Sequence, residues 1–182
     1  MIPQIIHFVW PALNSEDIPA PNLLRNIQIA LLNTTFDIFI HTNVDFPVPK
    51  DPRVRVIRRE FDLTIRGIPF QESKKFKRIA HISDIYRLDI LYEYGGVYSD
   101  FDVVWLRNPW EYLDHKLVIG FTNKNHNYKI LCNAVMMSEK NHLALKIYRD
   151  WLIDIYPCDK YWIPANPYKL WKDREDVTFA EK

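Results

Sequence analysis

Apolar residues fall along this chain in short blocks, and their spacing switches between the period of a strand and that of a helix. Gln4–Trp10 is an apolar run bounded by Pro3 and Pro11 and predicts a buried strand. Pro19 and Pro21 lead into helical spacing over Asn22–Leu32, with Leu23, Leu24, Ile27 and Leu31 as its apolar positions. Phe36–His41 and the cleanly alternating Arg53–Arg58 predict two further strands, parted by the proline-rich loop Val44–Pro52. A strand, a helix and a strand in succession predict a crossover with the first two strands parallel. Ile65–Ser73, which holds Gly67 and Pro69, reads as a loop. From Phe76 the positions Ile79, Ala80, Ile82, Ile85, Leu88 and Leu91 trace one face of a long helix. Gly95 ends that helix as a C′ residue.

Beyond the helix, Val97–Ser99 predicts a short strand, and Asn108-Pro109 opens a short helix with proline at its first position. Lys116–Thr122 and Ile130–Met137 read as strands. Asn141 caps a helix over His142–Tyr156, with Leu143, Ile147, Trp151 and Ile155 as its core stripe. The tail, Pro157–Lys182, reads as irregular. The alternation of strands and helices is that of an α/β protein.

At 182 residues the chain is most simply one domain, with 48% hydrophobic and 26% charged residues. A net charge of +1 argues against extended contacts with nucleic acid or an anionic membrane. No apolar run approaches the roughly 20 residues that span a bilayer. The N-terminus lacks the basic flank and apolar core of a signal peptide, so a cytoplasmic chain is expected. Cys132 and Cys158 are too few for a disulfide framework, and free thiols are expected.

The candidate chemistry gathers in Ser83–Val104, SDIYRLDILYEYGGVYSDFDVV. Asp100 and Asp102 flank Phe101, and on an extended backbone their side chains would share one side. Two adjacent carboxylates at the mouth of a buried sheet are costly without a positive partner, and suit a hard divalent cation shared with a phosphate. Asp84 and Arg87, three apart on the preceding helix, can reach the same place; seen alone, they read as a plain surface ion pair. His81 nearby reads as packing rather than a ligand. The basic run Lys74–Arg78 is either a solvated helix start or a lip over a phosphate. Trp10, at a strand's carboxyl end, is either a core residue or a platform for a base. Asn133, polar within an apolar run, is either a bonded core residue or a substrate contact.

The joint pattern SD-x-x-R followed by GG-x-Y-x-D-x-D resembles the glycosyltransferases whose sugar-binding region contains a DXD motif. The likeness is to the family 32 type, the group of the yeast initiation-specific α-1,6-mannosyltransferase, lactosylceramide α-galactosyltransferase and capsular sugar transferases. Their core is shared with the large clostridial glucosylating toxins. It is strongest over Arg78–Trp110, with a second patch at Ile5–Trp10, where HFVW is similar to the toxins' first strand.

The resemblance implies a GT-A fold, a Rossmann-like mixed sheet flanked by helices, with a donor-binding core over residues 1–122 and the acceptor side over 123–182. It also implies transfer of a hexose from a nucleotide-sugar, with retention of configuration, to a glycan or other hydroxyl acceptor. By position, Asp102 matches the direct metal ligand for Mn²⁺ or Mg²⁺, and Asp100 a residue bridging metal-bound water, ribose and sugar. Asp84 and Arg87 match the pair holding donor-sugar hydroxyls, Tyr98 an aromatic near the nucleotide, Trp10 the ring stacked on uracil, and Asn133 a donor-site residue. Trp10 and HFVW favour a UDP-sugar over a GDP-sugar. Retaining glycosidases place two carboxylates about 5–5.5 Å apart around the scissile bond; no such pair stands out here, so the resemblance points to a front-face mechanism. Many relatives complete the metal shell from a C-terminal segment that has no clear counterpart after Trp171, where Asp173, Asp176 or Thr178 could substitute. Alternative functions are an inactive nucleotide-sugar-binding module and a metal-dependent phosphohydrolase.

Overall fold

The computed structural model describes residues 1–65, 68–69, 80–121, 131–155 and 167–180. The chain opens with β1 (Ile5–Trp10), crosses through α1 (Pro21–Asn33) and returns as β2 (Asp37–Thr42) and β3 (Val54–Arg58). A small ribbon of β4 (Thr64–Ile65) and β5 (Ile68–Pro69) precedes α2 (Ala80–Tyr94) and β6 (Gly96–Ser99). Then come β7 (Leu117–Phe121), β8 (Leu131–Ser138), α3 (Leu143–Ile155), α4 (Tyr168–Trp171) and β9 (Val177–Ala180).

Among the described residues, seven strands form one mixed sheet in the order β3-β2-β1-β6-β8-β7-β9. The first two strands are parallel, as the crossover requires, with Ile5 opposite Asp37 and Trp10 opposite Thr42. Of these seven strands, β8 alone runs against the others, being antiparallel to both β6 and β7. Apolar side chains fill both faces. Ile6, Phe8, Ile38 and Ile40 meet Ile27 and Ala30 of α1 on one side. Val9, Tyr98, Ile119 and Met136 meet Leu88, Leu91, Leu145 and Leu152 of α2 and α3 on the other. This is the α/β sheet expected of a GT-A glycosyltransferase fold.

α2 lies between the sheet and α3, so it buries more than one face: Ile90 is as buried as Leu88 and Leu91. Its end follows the expected pattern. Gly95 takes φ +70° and donates its N–H to Leu91 O at 2.8 Å. Gly96 follows at φ +94°, and a Cβ there would stand 2.8 Å from Ile5 O.

Five expectations fail locally. The loop at Ile65–Ser73 begins as the β4–β5 ribbon, pairing Thr64 with Pro69. Pro109 precedes a 3-10 turn, Trp110–Tyr112, instead of opening a helix. The turn is cut short because Leu113 is buried and its carbonyl accepts Ile2 N–H at 2.8 Å. Asn141 does not cap α3: it adopts φ +63°, and His142 Nδ1 accepts the Ala144 N–H at 3.3 Å. The buried face of α3 is Ala144, Leu145, Tyr148 and Leu152, whereas Leu143 and Ile147 are exposed. Both stripes are apolar in sequence, and docking against α2 selects between them. The tail is not irregular throughout, because Val177–Ala180 adds an edge strand beside β7. Lys74–Arg78 and Cys158 lie outside the described residues, as does the side chain of His81; Cys132 is a free thiol on β8.

Candidate functional site

β1 is the strand at which the sheet's order reverses, with β2 on one side and β6 on the other. Ligands of open α/β sheets gather beyond the carboxyl ends of strands at such a switch point. Trp10 ends β1 and Asp100 directly follows β6, so these two residues flank it.

The Asp-x-Asp triplet is not on extended backbone, contrary to the reading from strand periodicity. β6 stops at Ser99, and a turn follows in which Val103 N–H donates to Asp100 O at 3.2 Å. Phe101 anchors the turn. Its ring packs 4.9 Å from Phe8, 5.5 Å from Trp10 and 5.7 Å from Phe46, and its carbonyl accepts Asn26 Nδ2 at 2.8 Å. A buried aromatic between two carboxylates thus fixes the turn while leaving Asp102 exposed and Asp100 half-buried. Asp100 is tied down by its own N–H, which donates to Ala134 O at 2.8 Å.

That bond comes from an irregularity in β8. Between Ile119 and Gly120 of β7, the pairing jumps from Met136 to Cys132, so Asn133, Ala134 and Val135 have no partner in β7. Bulges of this kind re-aim backbone and side chains near functional sites. Here the bulge turns Ala134 O to Asp100 and Asn133 O to Arg87, which donates to it through Nη1 at 2.6 Å.

Arg87 is the hub. Although 4% exposed, its guanidinium reaches Asp84 Oδ1 at 2.8 Å, Asp100 Oδ1 at 3.4 Å and, through Nε, Ser83 O at 3.3 Å. Asp84 Oδ1 also accepts Asn133 Nδ2 at 2.8 Å, and Asp100 Oδ1 accepts the Tyr98 hydroxyl at 2.5 Å. The structure therefore brings Asp84, Arg87, Tyr98, Asp100 and Asn133 into one connected network. Trp10 stands beside it, with its Nε1 bound to Asp17 O at 2.7 Å, so the indole edge is occupied.

Burial sets the electrostatics. It pushes the Asp84 and Asp100 carboxyls above the usual range, with Arg87 opposing in both cases. Burial also disfavours the charged form of Arg87, but Tyr98, Asp84 and Asp100 outweigh it, and the guanidinium is held more firmly protonated than usual. Two carboxylates closing on one buried cation leave the inner network satisfied. The outer oxygens remain. Both contacts of Asp100 fall on Oδ1, and Asp102 makes no hydrogen bond or ion pair with the described residues.

Among the described residues no three His, Cys, Asp or Glu side chains gather to hold a metal by themselves. The outward oxygens of Asp100 and Asp102 do fit a hard cation that draws its other ligands from a bound diphosphate. The tail groups do not complete such a shell. β9 pairs Val177 with Leu117, level with Ser138 and Gly96 at the sheet edge opposite Asp100. There Asp176 is held by Arg174 at 2.6 Å, Thr178 is bonded to His115 at 2.8 Å, and Asp173 stands 3.7 Å from Lys172.

Sequence reasoning missed Asn26, the β8 bulge and Tyr148, a buried residue of the helix packed against α2. None carries a local signal, because each depends on what another element brings to it.

The profile of the family described as glycosyltransferase sugar-binding region containing DXD motif matches residues 20–120. That is more than half of the chain, and the chain belongs to this family. No curated protein matches it by sequence. Solved structures with a similar fold include the PaToxG glycosyltransferase (15% identity, TM-score 0.63, covering 94% of this chain and 70% of that one). The glycosyltransferase GlyE of Streptococcus pneumoniae matches at 8% identity and TM-score 0.58, over 99% of this chain and 45% of GlyE. An active-site mutant of LgtC matches at 13% identity and TM-score 0.53, over 97% and 72%. At these identities the likeness establishes the fold. No helix among the described residues is long and apolar enough to cross a membrane.

Proposed function

We propose that the chain is a metal-dependent, retaining glycosyltransferase of family 32 type. It moves a hexose from a nucleotide-sugar, a UDP-sugar in preference to a GDP-sugar, to a hydroxyl of a glycan or other acceptor. The observation that carries this reading is the single network joining Asp84, Arg87, Tyr98, Asp100 and Asn133 at the switch point beside Trp10.

In this reading the donor lies across the carboxyl ends of β1 and β6. The Trp10 ring, its N–H already bonded, offers only an apolar face and stacks on the base. Asp84 and Arg87 hold hydroxyls of the donor sugar, and the pairing with Asn133 fixes the direction of the Asp84 carboxylate. Arg87 presents fixed positive charge close to where the diphosphate leaves. Tyr98 keeps Asp100 oriented from below. Asp102 and the outward oxygen of Asp100 would hold Mn²⁺ or Mg²⁺, which when bound stabilises charge on the departing diphosphate. Residues 1–122 form the donor-binding core, and residues 123–182 contribute the acceptor side.

The absence of a third protein ligand among the described residues favours one alternative, a donor-binding module without turnover. One experiment separates the two. UDP- and GDP-sugars are offered with Mn²⁺, and nucleotide release is followed for the native chain and Asp102→Asn. Slow, metal-dependent release from one donor, lost in the variant, is the expected result. Binding without release under any acceptor condition identifies the inactive module, and no binding of any donor overturns the reading.

A further inference from the structure

Beneath the site, α3 carries a hydroxyl that the chemistry above does not use. Tyr148 is 1% exposed, and its ring lies edge-on to Trp171 with centroids 5.1 Å apart. Around it are Leu88, Leu145 and Leu152, the apolar contact between α2 and α3. Its Oη is buried and makes no hydrogen bond with the described residues.

A buried hydroxyl without a partner costs on the order of 1–3 kcal/mol. Phenylalanine would fill the same space without that cost. An unpaired donor in a close-packed interior calls for an explanation, and a partner gained in another state of the molecule supplies one. α3 packs on α2 with Tyr148 and Leu88 in one buried cluster, and Asp84 precedes Leu88 by one helical turn on the same face; Asp84 and Arg87 are the ionised groups that act on the Tyr148 hydroxyl. Arg87 has only donors to offer, and its nitrogens are already spent on Ser83, Asn133, Asp84 and Asp100. Asp84 is different. Among the described residues both of its bonds, from Arg87 and Asn133, fall on Oδ1, so the other oxygen keeps its capacity to accept.

We propose that Tyr148 is a positioning residue for Asp84: when a nucleotide-sugar occupies the site, the Tyr148 hydroxyl donates to the Asp84 carboxylate and holds it against the sugar. The inference rests on the nucleotide-sugar reading of the site. In this structure Asn133 Nδ2 is committed to Asp84. A sugar that binds both residues competes for that bond, and the carboxylate then loses a donor at the moment it must stay fixed. Tyr148 supplies the replacement from the protein side, through a group that has no other bond to break. Burial keeps its phenol protonated well past neutral pH, so it remains a donor there.

The test compares the native chain with Tyr148→Phe by thermal unfolding without ligand and by calorimetric binding with Mn²⁺. The probes are UDP and the tightest binder among UDP-glucose, UDP-galactose and GDP-mannose. The expected result is an unfolding midpoint unchanged or raised, and unchanged affinity for UDP. Affinity for the sugar nucleotide falls about 10-fold or more, the scale of a hydrogen bond to a charged group. In an Asp84→Asn background, Tyr148→Phe adds less than about twofold, because the two changes remove one interaction. Unchanged sugar-nucleotide affinity in Tyr148→Phe overturns the proposal and leaves the transferase reading standing. A lowered midpoint with equal losses for UDP and the sugar nucleotide also overturns it, marking Tyr148 as structural. If the native chain binds none of the sugar nucleotides, the transferase reading falls and this inference falls with it.

Discussion

The Arg87 guanidinium lies over the Tyr98 ring, its central carbon 4.4 Å from the ring centre, and the two residues converge on the same oxygen of Asp100. A cation on an aromatic face gains from the ring's quadrupole, all the more where water is excluded. The hydroxyl of that ring then bonds the carboxylate that the cation also approaches. Arg87, Tyr98 and Asp100 thus form a closed set in which each fixes the others.

Removing the cation should break this set. Arg87→Ala leaves Asp84 and Asp100 facing each other in a buried setting, and should lower stability by about 3–5 kcal/mol. Arg87→Lys retains the charge but loses the planar fork that reaches four acceptors, so it should recover part of the stability and little donor binding. Urea unfolding and donor titration check the two halves. Native-like stability in Arg87→Ala would remove Arg87 as the hub.

Asp102 should behave in the opposite way. It is exposed and makes no bond with the described residues, so Asp102→Asn should change stability by less than about 0.5 kcal/mol. Metal-dependent nucleotide release should be lost all the same. A clear fall in the unfolding midpoint would show that the carboxylate has a structural role as well.

Gly96 should tolerate no side chain. Its φ is +94°, and a Cβ would meet Ile5 O at 2.8 Å and His7 Nε2 at 3.0 Å, both on the neighbouring central strand. Gly96→Ala should cost about 2–3 kcal/mol, through backbone strain and overpacking together. Gly120→Ala is the control, because none of the described residues lies within 4 Å of the added atom. Equal urea midpoints for the two variants would refute the steric account.

Acid should weaken the fold through a buried histidine pair. His7 Nδ1 and His41 Nε2 are 3.0 Å apart, and His7 Nε2 bonds Gly95 O at 2.9 Å. Burial holds His7 down to about 3 and His41 to about 2, with Arg59 also opposing their protonation. Both therefore stay neutral in the folded chain, while the unfolded chain takes up protons near pH 6.5. Their contribution is present above that pH and is lost as pH falls from about 6.5 toward their folded values. Two such groups forfeit on the order of 3 kcal/mol by pH 5.5. The raised carboxyls of Asp84 and Asp100, held up by burial, act with the opposite sign. Stability measured at pH 7.5, 6.5 and 5.5 should be level at first and then fall; a flat profile to pH 5.5 would contradict the pair's neutrality.

Much of this was legible in the chain itself, for physical reasons that particular residues show. Periodicity located α1, α2 and the parallel strands, because amphipathic faces repeat at a fixed interval in sequence. Gly95 announced the end of α2, because a left-handed backbone all but excludes other residue types. Asp84 and Arg87 could be placed on one face because helical spacing is local. The motif SD-x-x-R with GG-x-Y-x-D-x-D pointed to the family that the profile later matched over residues 20–120.

Tertiary structure alone decided the rest. Whether Asp84 and Arg87 form a surface pair or a buried hub depends on α3 and β8 closing over them, and their own spacing carries no trace of that. The turn holding Asp100 and Asp102 is set by Phe101 seating among Phe8, Trp10 and Phe46, brought from two other segments of the chain. The choice between two apolar stripes on α3, the bulge at Asn133–Val135 and the edge strand Val177–Ala180 were settled by partners distant in sequence. Local propensity and period determine which elements form. Which of their faces meet, and so which polar groups are buried together, follows from the packing of all of them at once.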